Sequence, residues 1–325
     1  MRAVVQTDIG PAHVLKLTET DVPRMRAGTL LLRTTAIGVN FHDVEVRRRG
    51  EPGLRLPVVP GSDAVGVVEG IGRGVTGFEL GDRVAALVHS GAYADYVSVS
   101  ATTAVRIPDA VDDASAASIP TAGLTAWYLV RDFAGPGVDS VVCHAGAGGV
   151  GHWLGSLLAR RPAHAVAVVS SEAKAAAARR AGFDTAVVRS EHADLVRAVR
   201  LAAGGYGAGV VLDPIAGERF GDSFGMLRPG GTVVLYGRTA GPPDRQRLSE
   251  VFLDARRNLG LRTWYLGRAV TLDLAAVAPA LAELARLLAD GAARLPVTEL
   301  PLEEAAEAHL LMESGATVGK VVLRP

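Results

Sequence analysis

Three glycines, at 146, 148 and 151, sit in the stretch VDSVVCHAGAGGVGHWLGSLLARR (residues 138–161), between an apolar run and a helical pattern. Their types and spacing point to a strand, a tight turn and a helix able to cradle a pyrophosphate. Gly146 permits the turn, Gly148 leaves bare backbone for close approach by the phosphates, and Gly151 lets the helix pack on the strand. The first helical residues, from Gly149 and Val150, would offer unpaired N–H groups to those phosphates. A chain with 38 glycines produces such spacings by chance, and an ordinary strand-to-helix turn is the plain alternative. The context favours a dinucleotide: Val138 to His144 is β-branched, and a second strand, AVAVVSS (165–171), follows at the distance a βαβ unit needs.

At the tip of that second strand an NAD-type cofactor calls for an acid on the ribose 2′-hydroxyl. The chain offers Ser170, Ser171 and Lys174 instead, and Arg189 ends the next predicted strand, TAVVRS. Two hydroxyls, an ammonium and a guanidinium suit a 2′-phosphate, so NADPH is expected over NADH. Only three of the 34 basic residues are lysines, which makes Lys174 less of a filler. Two alternatives stay open at this point: Glu172 in the acid's role, and Lys174 and Arg189 as solvated surface residues.

A chain of 325 residues with 49% hydrophobic content supports two domains with ample core. Net charge is zero and no block of like charge occurs, so neither nucleic acid nor an anionic membrane is an expected partner. The N-terminus lacks a secretory pattern and no apolar stretch approaches the roughly 20 residues of a membrane span, so a cytoplasmic protein is expected. The single Cys143 excludes an internal disulfide and a multi-cysteine zinc site, and its place inside a strand predicts a buried, inert thiol.

Short strands separated by Gly and Pro fill the first 120 residues: AVVQT, TLLLRTTAIGV, AVGVVEGIG, RVAALV and AYADYVSV. From about Ala122 helix alternates with strand, the signature of an α/β, doubly wound parallel sheet. Past Gly260 come LRTWYL, a long helix ending at Asp290, TELPLEEAAEAHLLMES, and a last strand GKVVLRP. The expected domains are 1–121, 122–265 as the nucleotide domain, and a 266–325 segment returning to the first, with the active site in the cleft between domains.

These motifs resemble the medium-chain dehydrogenase/reductase superfamily, and within it the zinc-free quinone oxidoreductase branch. The resemblance covers the whole chain through GVNFHDVEVRRRG (38–50), PGSDAVGVVEGIGRGVTGFELGDRVA (60–85), GAYADY (91–96), IPTAGLTAWY (119–128), the glycine turn, LRPGGTVVLYG (227–237) and GKVVL (319–323). It implies a GroES-like β-rich catalytic domain plus a Rossmann domain, a homodimer, and hydride transfer from NADPH. The alcohol dehydrogenases of that superfamily hold catalytic zinc through Cys, His and a third ligand, and the corresponding places look like Asn40, Ser62 and Thr121. An amide and two hydroxyls do not make a zinc site, so no metal is expected.

Without a metal, the hydride acceptor must be electrophilic by itself, as a quinone or an α,β-unsaturated carbonyl is. The resemblance puts Asn40 and Thr125 beside the nicotinamide, the loop at Tyr236 and Gly237 over the cofactor, and Lys320 approaching it from the last strand. Asp43 either acts directly or anchors its loop. A tyrosine common in the branch is replaced by Glu45, which faces the substrate cleft or lies on an exposed helix face with the arginines 47–49. No acid declares itself as proton donor: His42, His89, Tyr93 and Tyr265 are candidates by neighbourhood, and water is another. The leading expectation is an NADPH-dependent reductase of quinones or enones. A free-standing enoyl reductase resembling those of polyketide synthases follows closely, and a cofactor-binding module without catalysis is the reading from another class.

Overall fold

In the computed structural model, which describes residues 1–244, 248–249 and 255–325, the chain divides into two compact units. One is Met1–Leu124 with Asp273–Pro325; the other is Thr125–Leu272. The divisions fall at 124/125 and 272/273 rather than at 121/122 and 265/266. The first shift has a simple cause: a π-helical turn, Ile119–Gly123, runs straight into the helix Leu124–Phe133, and helical periodicity does not reveal which core a given turn packs on.

The first unit is built on strands whose alternate residues are apolar. A ribbon pairs β1 (Arg2–Gln6) with β2 (Leu15–Glu19). The main sheet comprises β3 (Thr29–Val39), β4 (Asp63–Ile71), β5 (Arg83–Leu87), β6 (Tyr96–Ser100), β7 (Ala104–Arg106), β14 (Val297–Pro301) and β15 (Lys320–Arg324). Its order is β14-β15-β3-β4-β5-β7, with β6 also on β3. Leu30, Leu32, Ile37, Val84 and Leu323 are fully buried in one core. The stretch AYADYVSV is a strand only from Tyr96, because Ala94 bridges to Ala3 and the Tyr93 N–H bonds to Pro60. Strands β2 and β7 carry too few apolar residues for sequence periodicity to announce them.

Two register facts decide the chemistry of this unit. Strand β15 runs antiparallel to β3 with Val321 opposite Val39, which brings Lys320 to the level of Asn40 across 280 residues of chain. Strand β4 runs antiparallel to β3 with Asp63 opposite Gly38. Three strand ends therefore meet at one point.

The second unit is a six-stranded parallel sheet of β8 (Ser140–His144), β9 (His164–Val169), β10 (Thr185–Val188), β11 (Ala208–Asp213), β12 (Leu227–Leu235) and β13 (Gly260–Thr263). The order is β10-β9-β8-β11-β12-β13. Every residue of β8 and β11 is buried, as strands covered on both faces require. The chain winds outward from β8 to β10, then returns to β11 on the other side of β8. That reversal is the switch point at which sheets of this kind hold nucleotides. The segment LRTWYL supplies the last three residues of β13 and, at its final leucine, the first residue of the helix Leu266–Leu272; the long helix is a separate one, Val277–Ala289. No described helix is long and apolar enough to cross a membrane.

Candidate functional site

The glycine turn leaves β8 at the switch point. Ala145 carries the positive φ of 54° that reverses the chain, a role the sequence had suggested for Gly146. Gly146 is required for a different reason: a Cβ there would lie 2.6 Å from the Cβ of Ala167 on β9. At Gly151 a Cβ would lie 2.5 Å from the backbone of Gly146, so turn and helix can touch only through glycine. At Gly148 the nearest atom to an added Cβ is the Ala145 carbonyl oxygen at 3.4 Å. A side chain there would fit the protein and obstruct only what approaches from outside. Gly148 precedes the helix Gly149–Leu158, whose first turn, with Gly149 and Val150, is half-buried and presents helix-terminal N–H groups. The buried His152 ring lies with Nδ1 3.0 Å from the Gly148 carbonyl oxygen, fixing the peptide at the mouth of the turn.

On the neighbouring strand tip, Ser170 is exposed and Ser171 caps the helix Glu172–Arg180, its Oγ accepting from the Lys174 N–H at 3.4 Å. Partial burial, and then the charge of Arg189, pull the Lys174 ammonium below its ordinary range. Arg189 is exposed and opens the turn after β10. Two cations close enough to disfavour each other are a good place for a phosphate. Glu172 lies 3.7 Å from Arg179 on the same helix, both side chains exposed. This donor set fits the 2′-phosphate of NADPH.

The ends of β8, β11 and β12 are tied together beside the turn. Ser223 Oγ donates to Asp213 Oδ2 at 2.7 Å. Its single hydrogen is thereby committed, so the His144 Nε2–H donates to Ser223 across 3.1 Å. Burial holds His144 below the usual histidine range, hence neutral. Asp213 Oδ1 accepts from the N–H groups of Ile215 and Ala216. That loop in turn bonds the one following β12, Thr239 N to Pro214 O at 3.0 Å and Ala240 N to Ile215 O at 2.9 Å. Gly237 is obligatory there, since a Cβ would lie 2.7 Å from the Pro214 oxygen. The Tyr236 hydroxyl is pushed well above its ordinary range by burial, then by Cys143 and Asp213. Cys143 is fully buried, which pushes its thiol up and leaves it inert. Thr125 is buried in the helix Leu124–Phe133.

In the first unit the three converging strand ends build a dense polar cluster. Lys320 Nζ donates to Asn40 Oδ1 at 2.6 Å and to Asp63 Oδ2 at 2.8 Å, with the side chains 3% and 0% exposed. Asn40 Nδ2 donates to the same Asp63 oxygen at 2.9 Å. Asp63 Oδ1 accepts from the Thr121 N–H at 2.8 Å. The cluster exists because Gly38 lacks a side chain: a Cβ there would lie 2.6 Å from Asp63 Oδ2 and 2.7 Å from Lys320 Cε. Asn40 precedes the helix Phe41–Arg49, and Asp43 Oδ2 accepts the Asn40 N–H at 2.9 Å. Asp43 also accepts from Ser62 Oγ at 3.1 Å and from the Tyr93 hydroxyl at 3.3 Å. Burial pushes the Asp43 carboxyl up, opposed by His42 and the Asn40 amide.

Sequence reasoning had sent several of these residues elsewhere. Lys320 directs its ammonium to Asn40 and Asp63, so its visible task is to orient the Asn40 amide. Tyr93 does not line a substrate surface: it is fully buried, its hydroxyl lies 3.0 Å from His309 Nε2, and burial and then Asp43 raise it far above the ordinary range. Of the arginine run, Arg48 and Arg49 are exposed, whereas Arg47 is buried and paired with Glu313 on the helix Ala305–Glu313. Glu45 is largely buried and lies 3.9 Å from Arg49. His42 and His89, on different segments, both turn toward Glu51, at 3.7 Å and 4.0 Å. Tyr265 is exposed in the second unit. Asp63, Glu51, His309 and Asp213 were missed, the last two because they lie in otherwise apolar stretches.

At Asn40, Ser62 and Thr121 the side-chain donors are an amide and two hydroxyls. Ser62 Oγ donates to Asp43, Asn40 Oδ1 receives an ammonium, and Lys320 contributes a fixed positive charge where a cation would have to sit. Such a set does not fit a divalent metal.

Comparison with known proteins agrees with this geometry. The alcohol dehydrogenase GroES-like domain matches residues 26–109, and the zinc-binding dehydrogenase family matches residues 181–323. A probable quinone oxidoreductase of Schizosaccharomyces pombe is 32% identical over 97% of this chain and 94% of its own length. A 2-haloacrylate reductase of Burkholderia sp. is 34% identical over 100% and 99%. The structure of Escherichia coli quinone oxidoreductase complexed with NADPH superposes with a TM-score of 0.91 at 28% identity, covering all of both chains.

Proposed function

The chain belongs to the medium-chain dehydrogenase/reductase superfamily, and on that footing we propose that it is a zinc-independent, NADPH-dependent reductase of quinones or α,β-unsaturated carbonyls. Bound NADPH supplies a hydride from its reduced nicotinamide. The turn from Gly146 to Gly151 receives the pyrophosphate, with Gly148 leaving room for it and the first-turn N–H groups of Gly149 and Val150 facing it. Ser170, Ser171, Lys174 and Arg189 hold the 2′-phosphate. Asn40 and Thr125 lie beside the nicotinamide, and Tyr236 and Gly237 belong to the loop that covers it. Lys320 and Asp63 keep the Asn40 amide in one orientation, and Asp43 keeps its backbone at the head of the helix.

The observation that carries this reading is the Lys320 ammonium buried against Asn40 and Asp63. It supplies a fixed positive charge held by two buried acceptors. An unactivated ketone or alcohol is a poor partner for such a site, whereas an acceptor that delocalises the incoming electron pair needs only positioning and exclusion of water. The names of the relatives, a quinone oxidoreductase and a 2-haloacrylate reductase, fall in that class. Cytoplasmic residence and a homodimer complete the proposal, the outer edge of β13 being the sheet edge a second copy would meet.

The test is NADPH oxidation followed by nicotinamide absorbance, with benzoquinone and naphthoquinone run beside enals and enoyl thioesters. Turnover with at least one class is expected, and NADPH binding without turnover of either would leave a binding module. For the cofactor, Lys174→Ala with Arg189→Ala should weaken NADPH far more than NADH. Equal losses would remove the phosphate assignment.

A further inference from the structure

Reduction of a carbon–carbon double bond consumes a proton as well as a hydride, and the residues around Asn40 leave few groups able to supply it. Tyr93 is sealed in the core between Asp43 and His309. Asp43 accepts three hydrogen bonds in a buried position. The Lys320 ammonium is held by Asn40 and Asp63. His42 is different. It is the second residue of the helix that Asn40 heads, and its side chain is 36% exposed.

His42 is also part of an arrangement the sequence did not announce. Its Nε2 lies 3.7 Å from Glu51 Oε2, and His89 Nε2 lies 4.0 Å from Glu51 Oε1. The three residues come from the helix start, the segment after that helix, and the segment following β5. Glu51 is 22% exposed and His89 85%, so the cluster runs from a partly enclosed imidazole to bulk water. Glu51 lies near the His42 ring, and Asp43 feels its charge. Glu51 also lines a groove of about 440 Å³ together with Ile9, Pro52, Leu54 and Leu56. Among the described residues no group of His, Cys, Asp and Glu is arranged to hold a metal ion. A carboxylate between two imidazoles suits acid–base work: it fixes the ring and leaves a side open to solvent, which can restore the proton. Separations slightly beyond a hydrogen bond are usual before substrate binds.

We propose that His42, held by Glu51, is the acid that protonates the reduced acceptor; this rests on the enone reading of the function. Hydride addition at the β carbon moves the double-bond pair toward the carbonyl oxygen and leaves an enolate. The His42 Nδ1–H bond then breaks with its pair staying on the ring, and the proton forms the new C–H bond at the α carbon as the enolate pair returns. Glu51 fixes the ring through its Nε2 side, and solvent water returns the proton to Nδ1 at the exposed side of the ring. One hydride and one proton are added in total.

The experiment reduces an α-substituted enone in D₂O and reads both rate and the face of deuteration at the α carbon. The native protein should deuterate one face. His42→Gln, with NADPH affinity retained as the check on folding, should lose on the order of 100-fold in kcat and deuterate both faces. Glu51→Gln should shift the product in the same direction by a smaller factor. In the cofactor-free protein, Glu51→Gln should also move the ring ¹⁵N resonances of His42 and His89 together, because one carboxylate serves both. If enones are reduced and His42→Gln keeps both rate and face, or if the His42 imidazole does not respond to Glu51→Gln, the proposal is overturned. If the native protein reduces no enone at all, the functional reading fails, and the nitrogen spectra then separate that failure from a failure of the His42–Glu51 pairing.

Discussion

His309 should make this protein acid-labile by a calculable amount. Its ring is fully buried, bonded through Nε2 to Tyr93, and burial together with the nearby Arg47 charge pushes it from 6.5 down to about 3. A histidine depressed in the folded state contributes stability that is complete above the unfolded value, near 6.5, and is lost as pH falls toward the folded one. Each pH unit well inside that window costs about 1.4 kcal/mol, so the loss is about 3 kcal/mol at pH 4.5 and is levelling off at about 4 kcal/mol at pH 3, where the folded ring itself begins to protonate. The control is His309→Gln, which keeps a polar partner for Tyr93 and cannot titrate. At pH 7 the variant should be less stable by the order of 1–3 kcal/mol, from a disturbed buried hydrogen bond. Urea unfolding at pH 7 and pH 4.5 measures both proteins. Because all other titrating groups are shared, the gap between native and variant should shrink by about 3 kcal/mol on acidification, and the variant should equal or exceed the native protein. A gap unchanged between the two pH values would refute a neutral buried His309.

Lys320→Met should destabilise the first unit by about 3–5 kcal/mol, since Asp63 and the Asn40 amide are left buried without their cation; urea midpoints check this, and a loss under 1 kcal/mol would mean that the ammonium is solvated. Gly148→Ala and Gly151→Ala should separate binding from folding. An added Cβ at 148 meets nothing closer than 3.4 Å and should spare the melting temperature while weakening NADPH more than tenfold, whereas at 151 it meets backbone at 2.5 Å and should lower both. Calorimetry and cofactor titration distinguish the two, and equal melting behaviour would count against the close packing of turn and helix. Glu313→Gln should cost several kcal/mol through the buried Arg47 it leaves unpaired, read as a lowered melting temperature; an unshifted one would show that the guanidinium finds water.

The sequence by itself determined the change from strand-rich to alternating architecture near residue 122, the glycine turn at the end of β8, and the cations after the next two strands. These are local signals: a period of two giving way to alternation with 3.6, a glycine spacing, a charge at a strand tip. Local signals also explain the errors. The positive φ of the turn fell on Ala145 because φ is set by the path of the whole turn, and Gly146 answers to Ala167 on another strand. Tyr93 looked like a cleft residue because its neighbours along the chain did, but its contacts are made with His309, 216 residues away.

Only the tertiary structure decided the polar clusters. Lys320 meets Asn40 because β15 pairs with β3 in one register, and Asp63 joins them because β4 pairs with β3 in another. A slip of one residue in either ladder would turn the side chain to the opposite face. Likewise, His42 and His89 converge on Glu51 from segments whose order in the chain gives no hint of their meeting. Spacing along a chain encodes the elements and the turn that each can make. The charges that share a burial site are chosen by strand pairing and core packing, which act across sequence distances that no local pattern records.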